Sequence, residues 1–413
     1  MPDSIFACRS CGAPLSDPIV DLGEQPLANS YLEAGRLAAP EPKVPLRVRV
    51  CPACWLVQTD QFVLPENVFS DYAYFSSYSA AWLAHARRYS EAMIARFGLG
   101  KDSFVIEVAS NDGYLLKNFV ERNIPSLGIE PAENVAKVAR AAGIPTEARF
   151  LGAASANDIA ARHPKADLIA GNNVLAHVPD INDFVAGLKI LLAPDGVLTL
   201  EFPHLLNLIA RNQFDTIYHE HYSYLSLAAV ERIFTRHGLS VFDVEKLPTH
   251  GGSLRLFVQH QDGGRAMSSA VEALRAEEKQ AGVETRAYYA GFAKEVERAI
   301  QGFRAFLTRA RSEEKKTVAY GAAAKGNTLL NACGIGRGEI DYVVDKSPHK
   351  QGRFLPGSHL EIFAPARILE DKPDYIVILP WNLREEIIGQ LPEARSWNAR
   401  FVTAIPQLKV IAP

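Results

Sequence analysis

Nothing in the 413 residues approaches the about twenty consecutive apolar positions of a membrane helix, and the chain carries neither a fixed short repeat nor a low-complexity tract. An excess of charge of one sign is missing as well. With 44 Lys and Arg against 47 Asp and Glu, the formal charge of −3 gives no electrostatic reason to expect nucleic acid or a membrane surface as partner. The opening MPDSIFACRS has neither the basic nor the apolar region of a secretion signal, so a cytoplasmic protein is the expectation. Cysteine is scarce, but four of the five lie in the first 54 residues, as CRSC and CPAC. In a reducing compartment that pattern points to a metal before disulfides.

What is there suits a globular protein: 48% hydrophobic and 22% charged residues, in a chain long enough for two to three domains. Cys8, Cys11, Cys51 and Cys54 offer four thiolates on two tight turns, the tetrahedral sulfur set that Zn²⁺ prefers. Such a site has no open position, so the zinc is expected to be structural. The 39 residues between the pairs exceed the usual ribbon spacing, and a redox dithiol is the other reading. Cys333 stands alone and reads as a small buried hydrophobe.

Residues 1–70 are proline-rich and short of helical periodicity, the expected zinc module. From Tyr78, AAWLAHARRYSEAMIARF has the three- and four-residue spacing of an amphipathic helix. SFVIEVAS, IPSLGIEP, ADLIAGNNVL and GVLTLEFP then alternate with helical segments, which predicts a parallel sheet covered on both faces over residues 71–265, with LSVFDVEKL and GGSLRLFVQH completing its edge. Residues 266–315 read as a helical bridge joined near Gly282, and 316–413 repeat the strand–helix alternation as a second nucleotide-type fold.

VIEVASNDGYLLKNF runs from strand to helix with Glu107, Ala109, Asn111 and Gly113 at alternating positions, so backbone and helix N–H groups can approach a ligand. Only one glycine remains, and an ordinary strand-to-helix turn is the plain alternative. Glu130 ends the next strand about twenty residues later, where a carboxylate accepts ribose hydroxyls. Both features suit adenosine, shared by NAD and S-adenosylmethionine. The sparse glycines disfavour a pyrophosphate, whereas Asn111 and Asp112 suit an amino-acid tail. GNNVLAHVPD, with Asn172, Asn173 and His177, ends another strand.

CRSCG, LGEQPLANSYL, CPACWLVQ, YAYFSSYS, EVASNDGYLL, GIEP, YHEHYSY, THGGSLRLFV and GAAAKGNTLLN occur in this order over essentially the whole chain, which thereby resembles the S-adenosylmethionine-dependent C-methyltransferases of nucleotide-linked deoxysugars. The resemblance implies an α/β architecture: a zinc-binding N-terminal module, a central class I methyltransferase doubly wound sheet and a C-terminal Rossmann-like domain. It implies that S-adenosylmethionine occupies the Glu107–Gly113 loop with Glu130, Pro131, Asn172, Asn173 and His177.

QFDTIYHEHYSYLS, residues 213–226, crowds ionisable groups. His219 and His221 share a face only on a strand. A metal site, a hydrogen-bonded polar segment and a proton-transfer apparatus are the three readings. The last explains the residue types best: a carbon nucleophile requires removal of a proton beside a carbonyl, and imidazole is the base best matched to neutral pH. His221 is the expected base at C3 of a 4-keto sugar, as the resemblance also implies. Tyr218 and Glu220 would stabilise the enolate or bind sugar hydroxyls, and His219 and Tyr222 would line the substrate. By resemblance Tyr72 borders the sugar and joins the catalytic set, with Tyr74 and Ser77 nearby; an aromatic domain contact is the alternative. His250 and Gly251 can approach a ligand or form a tight turn. In AYGAAAKGNTLLN, Lys325 can neutralise a diphosphate beside Asn327, with Asp345 at the ribose position; a ligand-free Rossmann-like fold is the rival.

The expected activity is C3 methylation of a nucleotide-linked 4-keto-deoxysugar, with no nucleic acid or membrane partner and with the oligomeric state open, a monomer among the options. The alternatives are O- or N-methylation of a nucleotide sugar and a non-catalytic zinc-stabilised binding protein.

Overall fold

The computed structural model describes residues 6–15, 17–61 and 75–412. In chain order the strands are β1 (Val20–Gln25), β2 (Val44–Val50), β3 (Val57–Thr59), β4 (Val105–Val108), β5 (Ser126–Ile129), β6 (Thr146–Glu147), β7 (Ala166–Asn172), β8 (Leu192–Pro203) and β9 (Ser223–Tyr224). They continue with β10 (Leu239–Leu247), β11 (Ser253–His260), β12 (Thr317–Tyr320), β13 (Val343–Val344), β14 (Ile362–Phe363), β15 (Tyr375–Ile378), β16 (Arg400–Thr403) and β17 (Lys409–Ile411). Contacts divide the chain into two units, neither a single stretch: Met1–Ser16, Val50–Leu205 and Tyr222–Glu284 form the first, and Asp17–Arg49, Leu206–His221 and Thr285–Pro413 the second.

The first unit holds a seven-stranded sheet in the order β6-β5-β4-β7-β8-β11-β10. β6 to β8 run parallel, while β11 is antiparallel to both β8 and β10. β4 and β5 are buried at every residue, as an apolar strand covered on both faces must be. The covering helices include Glu133–Ala141, Ala153–Ala160 and Ile181–Leu191, the last burying Ile181, Phe184, Val185, Leu188 and Leu191 at helical spacing. Strand order reverses at β4, with β5 on one side and β7 on the other. A crevice at the carboxyl ends of these strands is where an open α/β sheet takes its ligand.

The helix anticipated from Tyr78 spans Ala80–Phe97; the Ser79 side chain caps it by accepting from the Trp82 N–H, and Gly98 ends it at φ 63°. Cys8, Cys51, Cys54 and Leu56 pack in one apolar cluster with Ile106, Leu175, Leu225 and Val230. The cysteine turns are therefore walls of the core of the first unit.

In the second unit the sheet order is β14-β13-β12-β15-β16-β17, parallel except for β17. The antiparallel β1–β2 hairpin belongs here, as does the segment 206–221. Helix Ala324–Ala332 anchors both: the Asn327 amide donates to the Ala28 carbonyl at 2.5 Å, and the Thr328 hydroxyl to the Ile217 carbonyl at 2.9 Å. The helical stretch expected over 266–315 forms three helices, Ser269–Ala281, Arg286–Tyr289 and Phe292–Ser312, the first closed by Gly282 at φ 87°. No described helix is long and apolar enough to cross a membrane.

Candidate functional site

The four expected zinc ligands converge, with all four sulfur atoms within 4.8 Å of one another. Cys8 and Cys54 are 3.5 Å apart, as are Cys11 and Cys51. Tetrahedral Zn²⁺ with bonds of about 2.3 Å separates its sulfurs by roughly 3.8 Å, so the set fits the ion. Each turn closes on a left-handed residue four places after its first cysteine, Gly12 at φ 74° and Trp55 at φ 63°. Gly12 N–H bonds to the Cys8 carbonyl and Trp55 N–H to that of Cys51. The Gln58 amide donates to Cys8 Sγ at 3.2 Å. The neighbouring Cys54 thiol holds Cys8 well below the usual thiol range.

At the end of β4 the alternating positions share one backbone state: Ala109 at φ 56°, Asn111 at 51° and Gly113 at 79° are all left-handed. The loop keeps the conformation of a glycine-rich turn while carrying side chains in two of the three places. Non-glycine residues held there store about 1–3 kcal/mol each, strain typical of functional loops. Gly113 is also sterically required, since a Cβ would lie 2.8 Å from Ile144 Cγ1. Glu130 braces the loop by accepting from the N–H groups of Asn111 and Ala132, both at 2.9 Å, around Pro131. Ser76 and Ser77 cross from the preceding turn: their backbone N–H groups donate to Asn111 Oδ1 at 2.8 Å and Asp112 Oδ2 at 3.1 Å.

Several buried polar atoms here lack a hydrogen-bond partner among the described residues: Ser110 Oγ, Asp112 Oδ1, both side-chain polar atoms of Asn172 and Asn173 Oδ1. Such atoms are expensive to bury unless a ligand meets them. Burial pushes the Glu107 carboxyl well up, with the Tyr114 hydroxyl opposing. Glu130 is also raised by burial, against its two backbone bonds. His177 lies half-buried in the turn Leu175–His177 after β7. His250, left-handed at φ 53°, has Nε2 3.0 Å from Asn173 Nδ2 and its ring edge-on to Trp82. No motif in the sequence marks the support of that turn: Glu201 at the end of β8 accepts from Thr249 and Arg255, both at 2.8 Å, and contacts His85 at 2.9 Å. An acid closing an apolar strand was the available signal.

In the second unit, residues 218–221 form a turn, closed by His221 N–H to the Tyr218 carbonyl at 2.9 Å. The two histidines part company. His219 Nε2 meets the Val44 carbonyl at 3.1 Å, and its pKa is lowered by burial. His221 Nδ1 lies 2.8 Å from the Thr216 carbonyl and Nε2 lies 2.7 Å from the Tyr218 hydroxyl. Among the described residues the metal-competent cluster is the four cysteines, and it includes neither histidine. Glu220 Oε1 accepts from Asn29 Nδ2 at 2.6 Å, while Oε2 is buried without a partner among the described residues. Burial pushes its carboxyl up to about 7, opposed by Asn29 and the charge of Lys350. Asn29 lies in the quoted LGEQPLANSYL stretch but carried no expected role.

Lys325 donates to Asn382 Oδ1 at 2.8 Å and lies over the Trp381 ring, whose N–H donates to Asp215. Burial lowers its pKa and Asp215 raises it. Asp345 accepts from the N–H groups of Ala322 and Ser347, both at 2.8 Å, tying the β13 end to the turn after β12. Tyr72 and Tyr74 lie outside the described residues.

Residues 8–69 match a zinc binding domain family, 82–244 a methyltransferase domain family, and 248–406 the family described as C-methyltransferase C-terminal domain. C-methyltransferase NovU from Streptomyces niveus is 36% identical over 408 residues, 99% of this chain and 97% of that one. Among solved structures, a SAM-dependent methyltransferase from Anabaena variabilis aligns over 43% of this chain and 86% of its own, with 16% identity and a TM-score of 0.36. Magnesium protoporphyrin IX methyltransferase from Synechocystis aligns over 43% and 81%, with 16% identity and a TM-score of 0.34. From its N-terminal cysteine turns to its C-terminal sheet, this chain belongs to the S-adenosylmethionine-dependent C-methyltransferase family.

Proposed function

We propose that this enzyme methylates C3 of a nucleotide-linked 4-keto-deoxysugar, with His221 as the base. The observation that carries the reading is the pair of bonds on its imidazole. A carbonyl can only accept, so the Thr216 contact puts the hydrogen on Nδ1 and leaves the Nε2 lone pair as the acceptor, met by the Tyr218 hydroxyl. Nε2 takes the C3 proton once the Tyr218 hydroxyl turns aside from its lone pair, and the C–H electron pair delocalises into the C4 carbonyl. S-adenosylmethionine supplies an electrophilic methyl, which the enolate carbon accepts as the S–CH3 bond breaks, leaving S-adenosylhomocysteine. Water then removes the proton from His221. Glu220, protonated up to about pH 7, is a hydrogen-bond donor for the developing enolate oxygen.

For the cofactor, Glu130 accepts the ribose hydroxyls with its remaining lone pairs, and Asn111, Asp112 and Asn172 meet the amino-acid tail. Glu130→Ala is expected to raise the calorimetric dissociation constant for S-adenosylmethionine about 10- to 100-fold, the loss of one or two charge-assisted hydrogen bonds. An unchanged constant in a folded variant removes Glu130 from the site.

The function itself is tested by incubating the enzyme with a nucleotide-linked 4-keto-6-deoxysugar in deuterated water. Deuterium uptake at C3, and a carbon-bound methyl at C3 when S-adenosylmethionine is added, are the expected results. A methyl on oxygen, or no uptake at C3, overturns the reading.

A further inference from the structure

Between the two ligands of the first cysteine turn sits Arg9, which no proposed chemistry uses. Its Nη2 donates to the Thr59 carbonyl at 2.6 Å, and its guanidinium lies 5.3 Å from the centroid of the Tyr222 ring. Nη1 is 3.4 Å from the Pro179 carbonyl. Thr59 is gripped from both ends, because its own N–H donates to the Tyr222 carbonyl at 3.1 Å. β3 and β9 are antiparallel there, with Gln58 opposite Ser223 and Val57 opposite Tyr224. Gln58 closes the circuit: Oε1 accepts from the Arg9 N–H at 3.0 Å while Nε2 donates to Cys8 Sγ at 3.2 Å.

The turn that carries Arg9 is held from behind as well. Asn182 Nδ2 donates to the carbonyls of Arg9 and Ser10, at 3.1 and 3.0 Å, and Ser10's carbonyl also accepts from Arg236. Four thiolates on Zn²⁺ would carry a net double negative charge, which favours a guanidinium alongside. Tyr222 is only 1% exposed and follows His221 directly in the chain.

We propose that Arg9 is a positioning residue for methyl transfer: it passes the order of the cysteine turn to Tyr222 and so fixes the peptide that bears His221. A planar fork that donates to a carbonyl while stacking on an aromatic ring sets both distance and orientation. A lysine ammonium can do the first but not the second. The inference rests on His221 acting at the reacting carbon, and it gives the cysteine turn a part in catalysis beyond stapling the core.

Arg9→Lys and Arg9→Ala in the full zinc-loaded chain test it through zinc content, amide hydrogen exchange and C3 deuterium uptake. Arg9→Lys is expected to keep its zinc and its affinity for S-adenosylmethionine. Amide exchange in a peptide covering 218–226 should quicken roughly tenfold, about one lost hydrogen bond. C3 deuterium uptake and kcat should fall up to about 100-fold, with KM for the sugar unchanged, as a displaced base requires. Arg9→Ala should exceed this, and Arg9→Lys decides the question if the alanine variant does not fold. Unaltered amide exchange over 218–226, or a loosened segment with undiminished C3 uptake, overturns the proposal. So does loss of zinc in Arg9→Lys, which would make Arg9 merely a support of the metal turn. If His221→Ala retains C3 uptake, the base lies elsewhere and the proposal falls with that reading, whereas an inactive His221→Ala beside an undiminished Arg9→Lys overturns the role of Arg9 alone.

Discussion

His221→Ala is expected to abolish deuterium uptake at C3 and to lower methyl transfer by about 10²- to 10⁴-fold, the span attributed to a positioned general base. Binding of S-adenosylmethionine should be untouched, because the imidazole's hydrogen bonds run to Thr216 and Tyr218, neither of which is assigned to the cofactor. The direction follows from the ring's fixed tautomer. With Nδ1–H committed to Thr216, Nε2 is the single basic nitrogen, and Tyr218 is its hydrogen-bonded partner. Tyr218→Phe removes that donor and should produce a smaller loss, since the lone pair survives. Glu220 adds a pH signature of its own. Its folded pKa of about 7 lies above the usual carboxyl range, so the donor form fills below pH 7 and empties above it. Activity should fall on the alkaline side as Glu220 ionises. In Glu220→Gln the amide still donates but cannot titrate, so that limb of the pH profile should disappear. Retained C3 uptake in folded His221→Ala removes the imidazole from the mechanism, and an alkaline limb unchanged in Glu220→Gln removes the carboxyl.

How much of this was legible varies with the range of the interaction that decides it. Apolar runs such as VIEV and GVLTLEF form buried strands because they are covered on both faces, and that is a local property of the sequence. Cysteine spacing revealed the metal set because two Cys-x-x-Cys turns can meet in few other ways. The loop Ala109–Gly113 carried its signal in the alternation of small and polar residues, although only backbone angles reveal that all three alternate positions are left-handed. Trp55 occupies the place that Gly12 fills in the first turn, and no residue preference predicts a tryptophan at positive φ. Asn29 donates to Glu220, 191 positions later, and nothing nearby in sequence marks an asparagine for that task. Nor does composition indicate that 17–49 and 206–221 belong with the C-terminal sheet, since that grouping is fixed by long-range contacts such as Asn327 with Ala28 and Thr328 with Ile217.

The excursion at 17–49 also explains the long spacing between cysteine pairs and leads to the largest expected effect on stability. Cys11 and Cys51 are 3.5 Å apart although the chain leaves the first unit between them. A zinc held by both pairs closes that loop, and closure by a metal removes chain entropy that the apo protein would keep. Structural zinc contributes apparent binding energies of about 10–16 kcal/mol at neutral pH, much of it realised as folding energy. The thiols of Cys8, Cys51 and Cys54 sit in the same buried cluster as Leu56 and Leu225, so losing the ion would leave sulfur ligands without their charge partner inside an apolar core. Cys51→Ser, or exhaustive chelation, should therefore release the metal. Even a loss of about 4 kcal/mol of that energy would lower the calorimetric Tm by roughly 8–16 °C in a unit of this size. Cys333→Ser is the matched control: that residue is buried far along the chain from the cluster, and it should lose a small amount of packing and no zinc. Re-addition of zinc to the chelated wild type should restore the transition while magnesium should not, because a four-thiolate set excludes a hard oxygen-seeking cation. A chelated, metal-free wild type that melts at the unaltered temperature would show that the apolar packing around Leu56 closes the loop without the ion.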